Sequence, residues 1–164
     1  MLHLPDLGLA LRAEAIMGGA VVWPAAYALC HWLKRCAGGC CVGARCVELG
    51  ASGGEPGLVA LGAGASHLLS TDGDASLLPV LEANCAANCA APSSSWRPSS
   101  SLPPPPSWSV AALDWREMEA MTEHATGSGF DLVLATDVLY SVGGVVPLVC
   151  LRRVHTDAAR RIGG

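Results

Sequence analysis

An open, mostly parallel α/β sheet with flanking helices is the fold class that this sequence of 164 residues predicts, as a single domain over 1–164. Three observations predict it. The apolar runs "RCVEL", "HLLS", "VAAL" and "FDLVLA" have the length and branched residues of strands. Segments of helical spacing or turn residues separate them, so strand, turn, helix and strand follow one another as in a parallel βαβ chain. Each run also ends in a polar or glycine-rich loop: Glu48 to Gly54, Asp72 to Asp74, Asp114 to Trp115, and Thr136 to Tyr140.

The elements follow in order. Pro24 suits the first turn of a helix that Ala25 to Cys36 continues, with Leu29, Trp32 and Leu33 on its apolar face and Gly38 and Gly39 ending it. Arg45 to Leu49 is a strand, Gly50 to Pro56 its turn, and Gly57 to Gly62 a short helix. His67 to Ser70 is the second strand, closed by Thr71, Asp72 and Gly73. Asp74 caps a helix from Ala75 to about Cys89, on which Leu77, Leu78, Leu81 and Cys85 recur at helical spacing. Residues 92–109, "PSSSWRPSSSLPPPPSWS", read as an exposed insertion, because proline removes backbone donors and serine prefers water. Val110 to Leu113 resumes as a strand, Arg116 to His124 as a polar helix, and Phe130 to Ala135 as the most strand-like run. Val145 to Ala159 suits a last helix with Pro147 in its first turn.

Composition narrows the function classes. A net charge of -4 with no lysine-arginine block argues against nucleic acid as the main partner, since phosphate binding needs a basic patch. The uncharged stretch from Ala15 to Leu33 approaches the length of a membrane span, but Gly18, Gly19 and Pro24 break it into two pieces. Arg12 and Glu14 precede it, unlike the start of a secretory signal. No membrane association is expected. The eight cysteines are irregularly spaced and mostly inside apolar segments, as reduced cysteines of the cytoplasm or nucleus are. Cys36, Cys40, Cys41 and Cys46 near His31 lack paired zinc-ligand spacing, so no metal is expected.

The chemistry lies in the loops. In an open α/β sheet, ligands bind outside the carboxyl ends of the strands. Glycines in the first loop permit close backbone approach, and an acid ending the second strand, Asp72, suits a ribose diol. Glu48 before the loop and Glu55 within it oppose a pyrophosphate and suit a cationic ligand. S-adenosylmethionine, with its sulfonium and ammonium groups, meets both conditions.

The motifs "VVWPAAYALCHWL", "VELGASGGEPGL", "STDGDASLLPVLEANCAAN", "LDW" and "LATDVLYS" together resemble the seven-strand, S-adenosylmethionine-dependent protein-lysine methyltransferases, also called methyltransferase family 16. They cover most of Val21 to Ser141. The resemblance implies a Rossmann-like methyltransferase fold. It also implies that Trp23 flanks the cofactor, that Glu48, Gly50 and Gly54 form its methionine-side loop, and that Asp72 takes the ribose. Asp114 and Trp115 would border the adenine, with Thr136 also on the cofactor side. Asp137 and Tyr140 would shape the channel for the amine of a lysine on a protein substrate. Ser52 stands where the family usually has glycine and Glu55 where it usually has an apolar residue. The family's sheet continues beyond the point where this sequence stops, so the last strands are expected to be missing. A small-molecule methyltransferase, or a noncatalytic module descended from one, shares the same residues.

Overall fold

The computed structural model describes residues 2–12, 22–35, 39–89, 105–114 and 129–139. Its centre is a four-stranded sheet of β3 (Arg45–Leu49), β4 (His67–Asp72), β5 (Ser107–Ala112) and β6 (Leu132–Ala135). The order is β5-β4-β3-β6 and every pairing is parallel. The chain steps outward from β3 to β4 and β5, then crosses to the other side of β3. This reversal between β3 and β6 is the topological switch point, where an open sheet leaves a crevice at its carboxyl edge. The expected parallel α/β architecture is therefore present.

Alternation along the strands decides which side chains meet the helices. Cys46 and Leu68 face one layer with Leu134, together with Cys30 and Leu33 of α1 (Pro24–Arg35) and Leu58 and Leu61 of α2 (Glu55–Gly62). Cys85 of α3 (Leu78–Cys89) joins the same layer. Val47, Leu49, Leu69 and Leu113 form a second cluster on the opposite face, with Ala111 and Phe130 against it.

Several boundaries differ from expectation for identifiable reasons. On α1 the buried residues are Ala26, Cys30 and Leu33, while Trp32 is 47% exposed. At about 100° per residue, Trp32 falls roughly 120° from the centre of that buried stripe, so it cannot share it. Helix α2 begins at Glu55 rather than Gly57, because Pro56 lies in its first turn, where a missing N–H costs nothing. Strand β4 runs on through Thr71 and Asp72, which pair with Ala111 and Ala112. Asp74 caps as expected, its side chain accepting from the Ser76 N–H, but the capped turn is a 3-10 turn, Ala75–Leu77, before α3. Pro79 in the first turn of α3 has no N–H with which to extend the α-helix backward. Strand β5 starts at Ser107, three residues inside the expected insertion, and Trp108 packs on the core. Residues 92–104 and the expected helices over 116–124 and 145–159 lie outside the described residues.

The sequence reading missed an amino-terminal hairpin. Strands β1 (Leu2–Leu4) and β2 (Leu9–Leu11) pair antiparallel about a Pro5–Gly8 turn in which Gly8 has φ 73°. Leu7, Leu9 and Leu11 enter the main core. At its tip, Asp6 accepts from Tyr27 Oη, lies 3.2 Å from His31 Nε2, and receives Lys34 Nζ on its backbone carbonyl. Residues 27, 31 and 34 share one side of α1, so a single acid docks the hairpin on the helix.

Two asparagines one turn apart on α3 fasten the other side of the hairpin. Asn88 accepts from the Ala10 N–H at 3.0 Å and donates to Ala10 O at 2.9 Å, replacing a missing neighbour strand. Asn84, fully buried, accepts from the Arg12 N–H at 2.6 Å and donates to Gly53 O at 2.9 Å. Asn84→Ala would leave two backbone groups without partners, and the expected loss of stability is about 2 to 4 kcal/mol. Urea unfolding of the variant beside the wild type checks this; a loss under about 0.5 kcal/mol, the size of an ordinary surface change, contradicts the bridging role.

Candidate functional site

The four carboxyl-end loops lie side by side because their strands are adjacent in the sheet. The first, 50–54, reverses tightly: Gly54 N–H donates to Ala51 O at 2.8 Å, and Gly50 and Gly54 have φ 63° and 85°. A Cβ on Gly54 would stand 3.1 Å from Leu81 Cδ2, so glycine there serves both conformation and fit. Ser52 has φ 50°, a left-handed conformation that disfavours a side chain. Glycine, the residue that the family resemblance leads one to expect there, would adopt this conformation without that cost.

Asp72 ties this loop to the next. Its Oδ2 accepts the Ser52 N–H at 2.9 Å and its Oδ1 accepts the Asp74 N–H at 2.9 Å. Its own carbonyl accepts the Leu113 N–H at 2.9 Å, which draws in the start of the third loop. Gly73 lies close to that loop, since a Cβ there would be 3.5 Å from Leu113 O and 4.0 Å from Asp114 Cα. The Asp72 carboxylate thus ties two loops together, and its backbone carbonyl holds the start of a third at the crevice edge.

Glu48, expected to form part of the methionine-side loop, is buried beneath it. It is 3% exposed and points into the helix-covered layer beside its register partner Ser70, whose hydroxyl donates to Glu48 Oε2 at 3.0 Å. Alternation dictates this: Glu48 lies two residues after Cys46, on the same face. Gly57 makes room for the carboxylate, because a Cβ there would sit 2.5 Å from Glu48 Oε2. Burial, then the charge of nearby Glu55, push the Glu48 carboxyl up to about 8, against help from Ser70 and the Gly57 N–H and with a further push from Asp72. Glu55, 8% exposed at the start of α2, is also raised by burial. Cys30 on α1 faces the pair; burial first, then Glu55 and Glu48, push its thiol up to about 12.

The other expected site residues are distributed as follows. Trp23 precedes the first residue of α1 and is 55% exposed. Asp114 follows β5 and is partly buried, and Thr136 follows β6 and is also partly buried. Asp137 is exposed with φ 54°, a conformation that aspartate tolerates better than most residues and that turns the chain sharply at the end of β6. Trp115 and Tyr140 lie outside the described residues. Glu48, Gly50, Gly54 and Asp72 are brought together, and Asp114, Thr136 and Asp137 share the same sheet edge. Ser70 and Asn84 were missed. Their signal was present, as polar residues at buried positions of a strand and a helix that are otherwise apolar there.

The Glu48–Glu55 pair makes stability depend on pH. For an acid whose folded value is raised, stability is fully present below the ordinary carboxylate range and is lost as pH climbs toward the folded value, here about 8. Stability is therefore expected to fall between about pH 5 and 8, by at most about 1.4 kcal/mol per pH unit for each proton involved. Glu55→Leu removes the neighbouring charge, so it should raise stability at pH 8 and make the fall shallower. Denaturant unfolding at several pH values tests both; a Glu55→Leu protein less stable than wild type at pH 8 contradicts the assignment.

Comparison with known proteins agrees with this architecture. The lysine methyltransferase family model matches residues 5–160. No curated protein matches. Among solved structures, a Pyrococcus horikoshii protein described as an RNA methyltransferase is similar with a TM-score of 0.50 and 20% identity. The match covers 77% of this chain and 50% of that one, so the chain spans about half the length of that structure, and the likeness is one of fold. With the family model spanning nearly the whole chain and the strand order and loops in agreement, the chain belongs to the lysine methyltransferase family.

Proposed function

We propose that this chain transfers the methyl group of S-adenosylmethionine to a lysine side chain of a protein. The observation that carries the cofactor reading is the junction of the glycine loop with Asp72. Each Asp72 oxygen spends one acceptor direction on a backbone N–H, and a carboxylate has about four, so two remain for a ribose diol. The glycines at 50, 53 and 54 put no side chain at those positions that would block a methionine moiety. Trp23, Asp114, Trp115 and Thr136 are assigned to the cofactor by the family resemblance. Glu48 would act from beneath the loop, by shaping it through Ser70 and the Gly57 N–H.

S-adenosylmethionine supplies a methyl group on a positively charged sulfur. The chain's own residues have to bind, orient and exclude water, because direct transfer needs a deprotonated amine at attack distance and little covalent help. Asp137 and Tyr140 would receive the amine, a carboxylate and an aromatic ring being suited to an approaching cationic lysine. The family description favours lysine as acceptor, and the net charge of -4 favours a protein over a nucleic acid.

Two measurements follow. Calorimetry should detect S-adenosylmethionine binding that Asp72→Asn weakens at least about tenfold, since an amide presents a donor to one of two backbone N–H groups. No binding at millimolar ligand would remove the cofactor assignment. In cell extract supplied with labelled cofactor, the chain should label protein lysines, and Asp137→Ala should lower labelling by about 100-fold while cofactor affinity changes by less than about threefold. Label appearing in RNA or in small molecules instead would refute the lysine reading.

A further inference from the structure

Two acids lie behind the glycine loop, and they are not equally satisfied. Glu48 has the Ser70 hydroxyl and the Gly57 N–H. Glu55 is 8% exposed, and among the described residues its carboxylate is met only by its own backbone N–H. Its Oε1 lies so close to the loop that a Cβ on Gly53 would stand 2.3 Å from it. The carboxylate is therefore folded onto the loop backbone, between Ser52 and Gly54.

A carboxylate removed from water needs compensation. The amino terminus of α2 supplies part, since Glu55 is its first residue. No basic side chain contributes to the environment of either acid among the described residues. Lys34 reaches Asp6, and Arg45 reaches Gly129 O and the face of Phe130. Burial and the charge of Glu55 keep Glu48 protonated up to about 8, which leaves Glu55 as the charged member of the pair, folded against a loop that the cofactor reading makes a contact surface.

We propose that Glu55 is a specificity residue of this chain, its carboxylate favouring the positively charged sulfonium of S-adenosylmethionine over the neutral thioether left after methyl transfer. The inference rests on the cofactor reading above. The two ligands differ by one methyl group and one positive charge, so shape contacts along the adenosine and methionine parts treat them alike. A buried charge, poorly screened by water, separates them, and it acts through several ångströms of protein. Glu55 acts through this field and contributes no bond-making step.

The test is calorimetric binding of S-adenosylmethionine and of S-adenosylhomocysteine to the wild type, Glu55→Gln and Glu55→Leu. Glutamine keeps the shape without the charge, and leucine keeps the protein folded even if the amide is poorly tolerated. Both variants should weaken S-adenosylmethionine about tenfold and S-adenosylhomocysteine less than about twofold, so that the affinity ratio collapses. A ratio unchanged in both variants, with the wild type binding both ligands, overturns this inference alone. A wild type that binds neither ligand overturns the cofactor reading and this inference with it.

Discussion

The Asp72 carboxylate is the constraint on which the candidate site depends. A short acidic side chain at the last position of β4 accepts one N–H from the preceding glycine loop and one from the turn that follows. Both bonds are charge-assisted, the stronger class of protein hydrogen bond. They are possible only because β4 lies beside β3, so that the two loops emerge at neighbouring points of the sheet edge. Pairing of β4 with β5 extends the arrangement through Leu113 to the third loop. Loops that the chain separates by tens of residues thus become one rim.

Support for that rim comes from beneath. Asn84 holds Gly53 O with its amide nitrogen and the Arg12 N–H with its oxygen, so the glycine loop, α3 and the amino-terminal hairpin share one buried bridge. The hairpin is in turn fixed on α1 by Asp6. A loop built on glycines would otherwise sample many conformations, since glycine restricts the backbone least. Here side chains from helices and turns supply the rigidity that the loop's own residues lack.

The same loop and the start of α2 hold two residues, Ser52 and Glu55, that have a physical cost. Ser52 sits at a left-handed backbone position without the freedom of glycine. Glu55 places a second acid next to Glu48 in a layer whose other buried residues are mostly leucine, alanine and cysteine. Strained or poorly solvated groups persist where surrounding structure holds them, and they gather at ligand sites more often than elsewhere. Concentration of both costs within four residues of one loop is the reason to seek a function for them there.

Much of this was legible in the sequence. Arg45 to Leu49 is a strand on local pattern alone, and the acids and glycines ending the four apolar runs mark the carboxyl edge of the sheet, because strand ends and turn residues are local properties. The hairpin over 2–11 was not legible: its strands are three residues each, too short for a periodic signal, and they are held by Asn84 and Asn88 from α3. Trp32 could be placed on the exposed side of α1 only once Cys30 and Leu33 had found their partners. Residue type by itself identified Glu48, Asp72 and Glu55 as acids near a ligand loop. Tertiary structure decided that Asp72 stays at the crevice and ties the rim together, while Glu48 and Glu55 turn inward beneath it. The reason is position along the sheet. Asp72 lies on the same face as Ser70, the register partner of Glu48, but at the last residue of β4 on the crevice edge. Glu48 lies under Gly57 of α2 and Glu55 opens that helix, so only the packing of α2 decides which acids keep their water.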